Sequence, residues 1–181
     1  MALQATLYRF KVELSDIDRS LYESIDFRIA MHPSESPSFL VTRALAYLLN
    51  FQPGLEFSPK GLGDPDVAPL FITDPRGGLK LWIEIGSPSA RRLHTASKAA
   101  GQVIVYHYKD PKLWLHEMQS SDIFEFEKVQ IHSFEASFLL NLTERLERSN
   151  EWTLIHQDSS LNLQIKSTSL EGEVLNHQCR D

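Results

Sequence analysis

The chain has 181 residues, a net charge of -6, 42% hydrophobic residues and 23% charged residues. That length suits one domain with a real core, and that balance excludes wholesale disorder and a collagen-like chain. The acidic net charge argues against indiscriminate nucleic-acid binding along the whole surface.

Alternation from Tyr8 to Leu14 places Tyr8, Phe10, Val12 and Leu14 on one face, and Ile25, Phe27, Ile29 and Met31 repeat the pattern. The two segments predict an antiparallel hairpin turned at residues 15–18. Ser36-Pro37 then reads as a helix N-cap with proline at the first helical position, and Val41, Leu45, Leu48 and Leu49 carry the helix to about Asn50. Eight of the nine prolines lie between 33 and 88, so residues 51–78 are constrained loops around short strands, with Val67–Ile72 as one strand kept near an edge by Pro69.

Leu79–Ile85 is a strand with Leu79, Leu81, Ile83 and Ile85 on one face and Lys80, Trp82 and Glu84 on the other. Ser87-Pro88 is expected to cap a helix reaching about Gly101, and Gln102–Tyr108 reads as a central strand, apolar on both faces. Strand, helix and strand in this order predict a right-handed parallel crossover. A helix at 111–119 follows, then a bulged strand from Ile123 to His132, a helix from Ser133 to about Arg148, and a final hairpin of Trp152–His156 with Leu161–Ile165. The expected organisation is a single α/β (α+β) domain over 1–169 with a mixed sheet, and a frayed tail over 170–181.

No window approaches the ~18 apolar residues of a membrane span. The opening MALQATLYRFKVEL alternates and carries Glu13, unlike a signal peptide. The single Cys179 makes no intrachain disulfide and no cysteine-based zinc site, so a reducing cytoplasm is the expected compartment. Walker, GxGxxG, HExxH and serine-elbow motifs are all missing. What remains is a basic island. Residues 76–112 hold seven Lys and Arg against two acids, inside an otherwise acidic chain. Such an island attracts phosphates locally, or is ordinary scatter of surface charge.

Carboxylates flank the crossover. A Gly-Gly turn between Asp74 and Glu84 has the length to reverse the chain and bring the two acids together. Two hard oxygen ligands with open positions suit Mg²⁺, which can activate water for attack on a phosphodiester. The plainer alternatives are an Asx-Pro turn at Asp74 and a solvent-facing Glu84 paired with Lys80. Trp82 is a base-stacking platform or a packing residue. Arg91 and Arg92, in the first turn of the crossover helix, are phosphate ligands or ordinary helix surface.

The segments MALQATLYRF, HPSES, RALAYLLNF, GLGDPD and above all LKLWIEIGSPSARRLHTASKAA resemble the YaeQ family of small bacterial proteins, over about residues 1–167. The resemblance implies a variant of the PD-(D/E)XK nuclease superfamily, with a restriction-endonuclease-like core and extra hairpins at both ends. It implies a Mg²⁺-dependent nuclease acting on nucleic-acid phosphodiesters. The alternative is a catalytically silent module binding nucleic acid or the transcription machinery. By position, Asp74 matches the superfamily's first acid, Glu84 its second and Glu35 the acid supplied from the first helix. The lysine expected two residues after Glu84 is Gly86. Either Lys98, on the following helix, or Lys80 would then take its place, with Lys98 expected nearer the acids. Gln102 and Tyr106 fit a Gln-x-x-x-Tyr pattern of some members.

Overall fold

The computed structural model describes residues 5–59 and 67–179. The GLGDPD segment from residue 61 lies outside the described residues. The chain has a mixed α/β fold, with four α-helices among the described residues. It divides into two compact units: Met1–Leu49 with Phe134–Leu175, and Asn50–Ser133 with Asn176–Asp181.

In the first unit, strands β1 (Thr6–Asp16) and β2 (Leu21–Met31) form the expected antiparallel hairpin, with Phe10 opposite Phe27. Alternation works here because one face alone is buried: Phe10, Val12 and Leu14 point inward with Ile25, Phe27 and Ile29. The Phe10 and Phe27 rings stack at 5.2 Å. Helix α1 (Pro37–Leu49) starts as the sequence predicts, with the Phe39 N–H donating to Ser36 Oγ at 3.1 Å.

Later segments complete this unit. Strand β8 (Ser149–Gln157) runs parallel to β1, and β9 (Ser160–Ile165) returns beside it as the expected hairpin. The expected frayed tail is instead strand β10 (Thr168–His177), antiparallel to β9. Its Leu170, Gly172 and Val174 alternate inward, a pattern too sparse in large apolar residues to stand out in the sequence. Helix α4 (Ala136–Glu144) buries Phe138, Leu139 and Leu142. It begins later and ends earlier than expected, because Ser133 and Phe134 belong to a strand.

Gly172 lets α4 approach β10: a Cβ there would stand 2.7 Å from Phe138 Cδ2. Gly172→Ala is therefore expected to destabilise the protein by about 2 kcal/mol through overpacking. Urea denaturation measures the loss, and Gly172→Ala/Phe138→Leu should recover little of it, since leucine keeps the Cβ and Cγ atoms that stand nearest the added methyl.

The second unit holds β3 (Glu56–Phe57), β4 (Leu70–Thr73), β5 (Leu79–Ile85), β6 (Ala100–His107) and β7 (Gln130–Phe134 by its full extent), in spatial order β7-β6-β5-β4-β3. Strands β5 and β6 are adjacent and parallel, joined by helix α2 (Ala90–Ala99), as expected. The cap differs. Ser89, not Ser87, accepts the Arg92 N–H, so the helix starts at Ala90. Helix α3 (Lys112–Gln119) follows. The expected strand from Ile123 is a 3-10 turn at Phe126–Lys128 leading into β7. The apparent bulge was this turn: Glu125 adopts φ 48, and Phe126, Val129 and Ile131 all enter the core.

Candidate functional site

Strand β5 presents Glu84 two residues from Trp82, and both side chains face the same way. That face looks polar in the sequence, yet α2 covers it. Trp82 is 1% exposed and packs with Leu93, Ala96, Val103 and Val105. Glu84 is 3% exposed. Its carboxylate accepts Trp82 Nε1–H at 2.7 Å and Arg92 Nε–H at 2.5 Å, both at Oε1. A second Arg92 nitrogen donates to the Val67 carbonyl at 3.0 Å, and the guanidinium lies 5.6 Å from the Trp82 ring. Burial pushes the Glu84 carboxyl above its ordinary range; Arg92 and the indole N–H offset this in part. The centre is a buried carboxylate clamped by one arginine and one tryptophan.

This arrangement corrects several expectations. Glu84 is neither solvent-facing nor paired with Lys80. Trp82 is sealed in the core and presents no face to a base. Arg92 is the partner of Glu84 and not a free phosphate ligand, whereas Arg91 is exposed.

Asp74 does not join Glu84. Strand β4 runs antiparallel to β5 with Thr73 opposite Leu79 and Leu70 opposite Ile83. Asp74 therefore lies beside Gly78, whose carbonyl accepts the Asp74 N–H at 3.0 Å. Five strand residues, about 17 Å at ~3.3 Å each, separate Leu79 from Glu84. The two acids sit at opposite ends of one hairpin. The Asp74 carboxylate instead accepts the Arg76 N–H at 2.8 Å, the Asx turn of the plainer reading.

Glu35 is held within the first unit. Its buried carboxylate is gripped by Arg43 at 3.1 and 3.4 Å, and Arg43 also donates to the Ala30 carbonyl at 2.7 Å. Burial pushes the Glu35 carboxyl up, against the pull of Arg43.

Gly86 has φ +89, and its N–H donates to the Tyr106 carbonyl at 2.8 Å. A Cβ there would stand 3.1 Å from Tyr108 Cε1. A lysine at this position meets both a left-handed backbone and an aromatic ring.

Lys98 does not substitute for it. It is exposed in the last turn of α2, with Nζ 5.9 Å from the centre of the Phe124 ring, while Arg92 in the first turn reaches Glu84. Six helical residues between them amount to about 9 Å of rise. Lys80 is exposed near the start of β5, four residues from Glu84. Gln102 is exposed, whereas Tyr106 is buried and its hydroxyl accepts from Asn50 Nδ2 at 2.9 Å, so the two form no shared site.

A different group emerges at the N-terminal edge of β5 and β6. Leu79 pairs with Ala100, and the turn before β5 passes the end of α2: a Cβ on Gly78 would stand 3.6 Å from the Ala99 carbonyl. Arg76, Lys80 and Lys98 are all exposed at this edge and make no ion pair among the described residues. Phe124, 42% exposed, lies beneath Lys98, and its N–H donates to His94 Nδ1 at 3.3 Å. The charge run was visible in the sequence. The aromatic partner was not, because it comes from an irregular loop some 25 residues on. No described helix is long and apolar enough to cross a membrane.

Comparison with known proteins agrees with the resemblance seen in the sequence. The family model for YaeQ protein matches residues 1–174. The chain is 28% identical over 173 residues to the uncharacterised YaeQ proteins of Salmonella typhi and Escherichia coli (strain K12), covering 94% of this chain and of each relative. It is similar to the crystal structure of YaeQ protein from Xanthomonas axonopodis pv. citri, with a TM-score of 0.86 and 25% identity over 96% of this chain and 98% of that one. The YaeQ protein structure from Pseudomonas syringae gives a TM-score of 0.85 and 26% identity, covering 95% of each chain. On sequence and on fold alike, the chain belongs to the YaeQ family.

Proposed function

We propose that this protein is a nucleic-acid-binding module that keeps the chain order of the PD-(D/E)XK core but not its chemistry. The order α1, β4, β5, α2, β6 supports the superfamily assignment. The observation that carries the binding role is the cationic edge of Arg76, Lys80 and Lys98 beside exposed Phe124. Cations that track a backbone next to an aromatic face suit single-stranded nucleic acid.

The nuclease reading is weaker on three physical grounds. Glu84 already spends Oε1 on Arg92 and Trp82. Asp74 stands a hairpin's length away. The lysine position is a glycine with positive φ. Mg²⁺ binding by Asp74 and Glu84 as a pair is not supported by this placement.

Fluorescence anisotropy with labelled single-stranded DNA and RNA tests the proposal. Binding should weaken with salt, and Lys80→Glu/Lys98→Glu should reduce the salt slope by about 1.4, ~0.7 per lost phosphate contact. Phe124→Ala should weaken binding by about 1–3 kcal/mol if a base stacks there. The wild-type protein should leave both substrates intact in Mg²⁺ or Mn²⁺. Metal-dependent cleavage that disappears in Glu84→Ala would return the assignment to a nuclease. Failure to bind either strand at low salt would remove the nucleic-acid role.

A further inference from the structure

We propose that Asp16, Asp18 and His156 form a binding site for one divalent transition cation, with Zn²⁺ the best fitted. The site lies in the first unit, where β1 turns toward β2. Parallel pairing puts Asp16 directly beside His156 of β8, and the turn brings Asp18 back toward both. One ligand atom from each residue lies within 4.8 Å of the other two.

The contact between Asp16 and His156 points to a ligand. The His156 ring is partly exposed, and its Nδ1, itself shielded from solvent, contacts Asp16 Oδ2 at 3.2 Å without the alignment of a good hydrogen bond. A close but poorly aligned contact of this kind gains little as a hydrogen bond. It is the spacing expected of two ligands of one ion: donors ~2.1 Å from a metal, at angles between square and tetrahedral, stand about 3.0–3.4 Å apart.

Asp16 is already oriented for this. Its Oδ2 accepts Arg19 Nε–H at 2.7 Å, and its Oδ1 accepts the Arg19 backbone N–H at 3.2 Å. Hydrogen-bonded carboxylates of this kind make well-placed ligands. Asp18 is exposed and free to close over an ion. The donor set is one imidazole nitrogen and two carboxylate oxygens, which favours a borderline cation over Ca²⁺ or Mg²⁺. Two carboxylates neutralise the 2+ charge, and water completes the shell. The Arg19 guanidinium opposes a cation and keeps the affinity moderate.

Isothermal titration of the chelator-treated chain with Zn²⁺, and absorption spectra with Co²⁺, test the site. One equivalent should bind with a Kd on the order of 10 µM, weaker than a four-ligand structural zinc site. Asp18→Asn, at an exposed residue, should weaken binding about tenfold or more without altering circular dichroism, and His156→Gln should do the same. Arg19→Gln should tighten binding, since it removes the opposing charge. A simple Asp16–His156 ion pair gives no such gain. No saturable binding below millimolar Zn²⁺, or binding unchanged in both Asp18→Asn and His156→Gln, would overturn the site.

Discussion

Replacing Arg92 with alanine is expected to lower the free energy of unfolding by about 3 kcal/mol, the lower end of what breaking a buried ion pair does. Arg92 keeps some contact with solvent, but Glu84 does not. Without the guanidinium, the carboxylate keeps the Trp82 indole N–H and the Ile85 backbone N–H but must carry an uncompensated charge or take up a proton. Arg92→Ala/Glu84→Gln should therefore recover much of the loss, and a double-mutant cycle by urea denaturation measures the coupling. The cycle also bears on function. If Arg92 merely shields a latent metal ligand, millimolar Mg²⁺ or Mn²⁺ should restabilise Arg92→Ala. If Glu84 is structural, neither ion should change its unfolding midpoint.

Acidification from about pH 6.5 to pH 4 should remove about 3 kcal/mol of stability through His107 alone. His107 is buried against the Trp114 ring at 4.3 Å, and its Nε2 has no hydrogen-bond partner. Burial, with a smaller push from His177, lowers its pKa from 6.5 to about 4. Between these values the unfolded chain binds a proton that the folded chain refuses. The contribution is whole above 6.5 and lost as pH falls toward 4. His132 and His177 are also lowered, chiefly by burial, and add to the slope. Raised Glu35 and Glu84 act in the opposite sense, so the difference between proteins is the clean measure. Urea midpoints at pH 7 and pH 4.5 should lie closer together in His107→Leu than in wild type. Equal losses in both proteins would clear His107 of the effect.

Where one face of a strand is buried and the other is not, the sequence announced the fold. The β1–β2 hairpin was legible for that reason, α1 by its Ser36 cap, and the β5–α2–β6 crossover by the order of its elements. Glu84 and Trp82 were misread for the same reason. Their polar-looking face is covered by α2, and only Arg92, one helical step from exposed Arg91, makes a carboxylate tolerable there. Arg91 and Lys98 share a face, as a seven-residue spacing implies, but it is the outward face. Asp74 was misplaced because spacing alone does not fix register: a turn at 74–78 leaves Asp74 at the near end of the hairpin and Glu84 at the far end. Gly86 was visible as a departure from the superfamily pattern, but its positive φ, which makes glycine apt there, was not.

The parallel pairing of β1 with β8 sets a timetable for synthesis. Arg9 lies opposite Ser149, so the N-terminal hairpin emerges from the ribosome roughly 140 residues before its neighbour, about 7–28 s at ~5–20 residues per second. The second unit is nearly contiguous in the chain and can collapse during that interval. Meanwhile β1 offers an unpaired strand edge and the Phe10, Phe27 and Ile29 face to any other nascent chain. The protein's exposure to misassembly is thus greatest while it is still being translated, and it falls when β8 arrives.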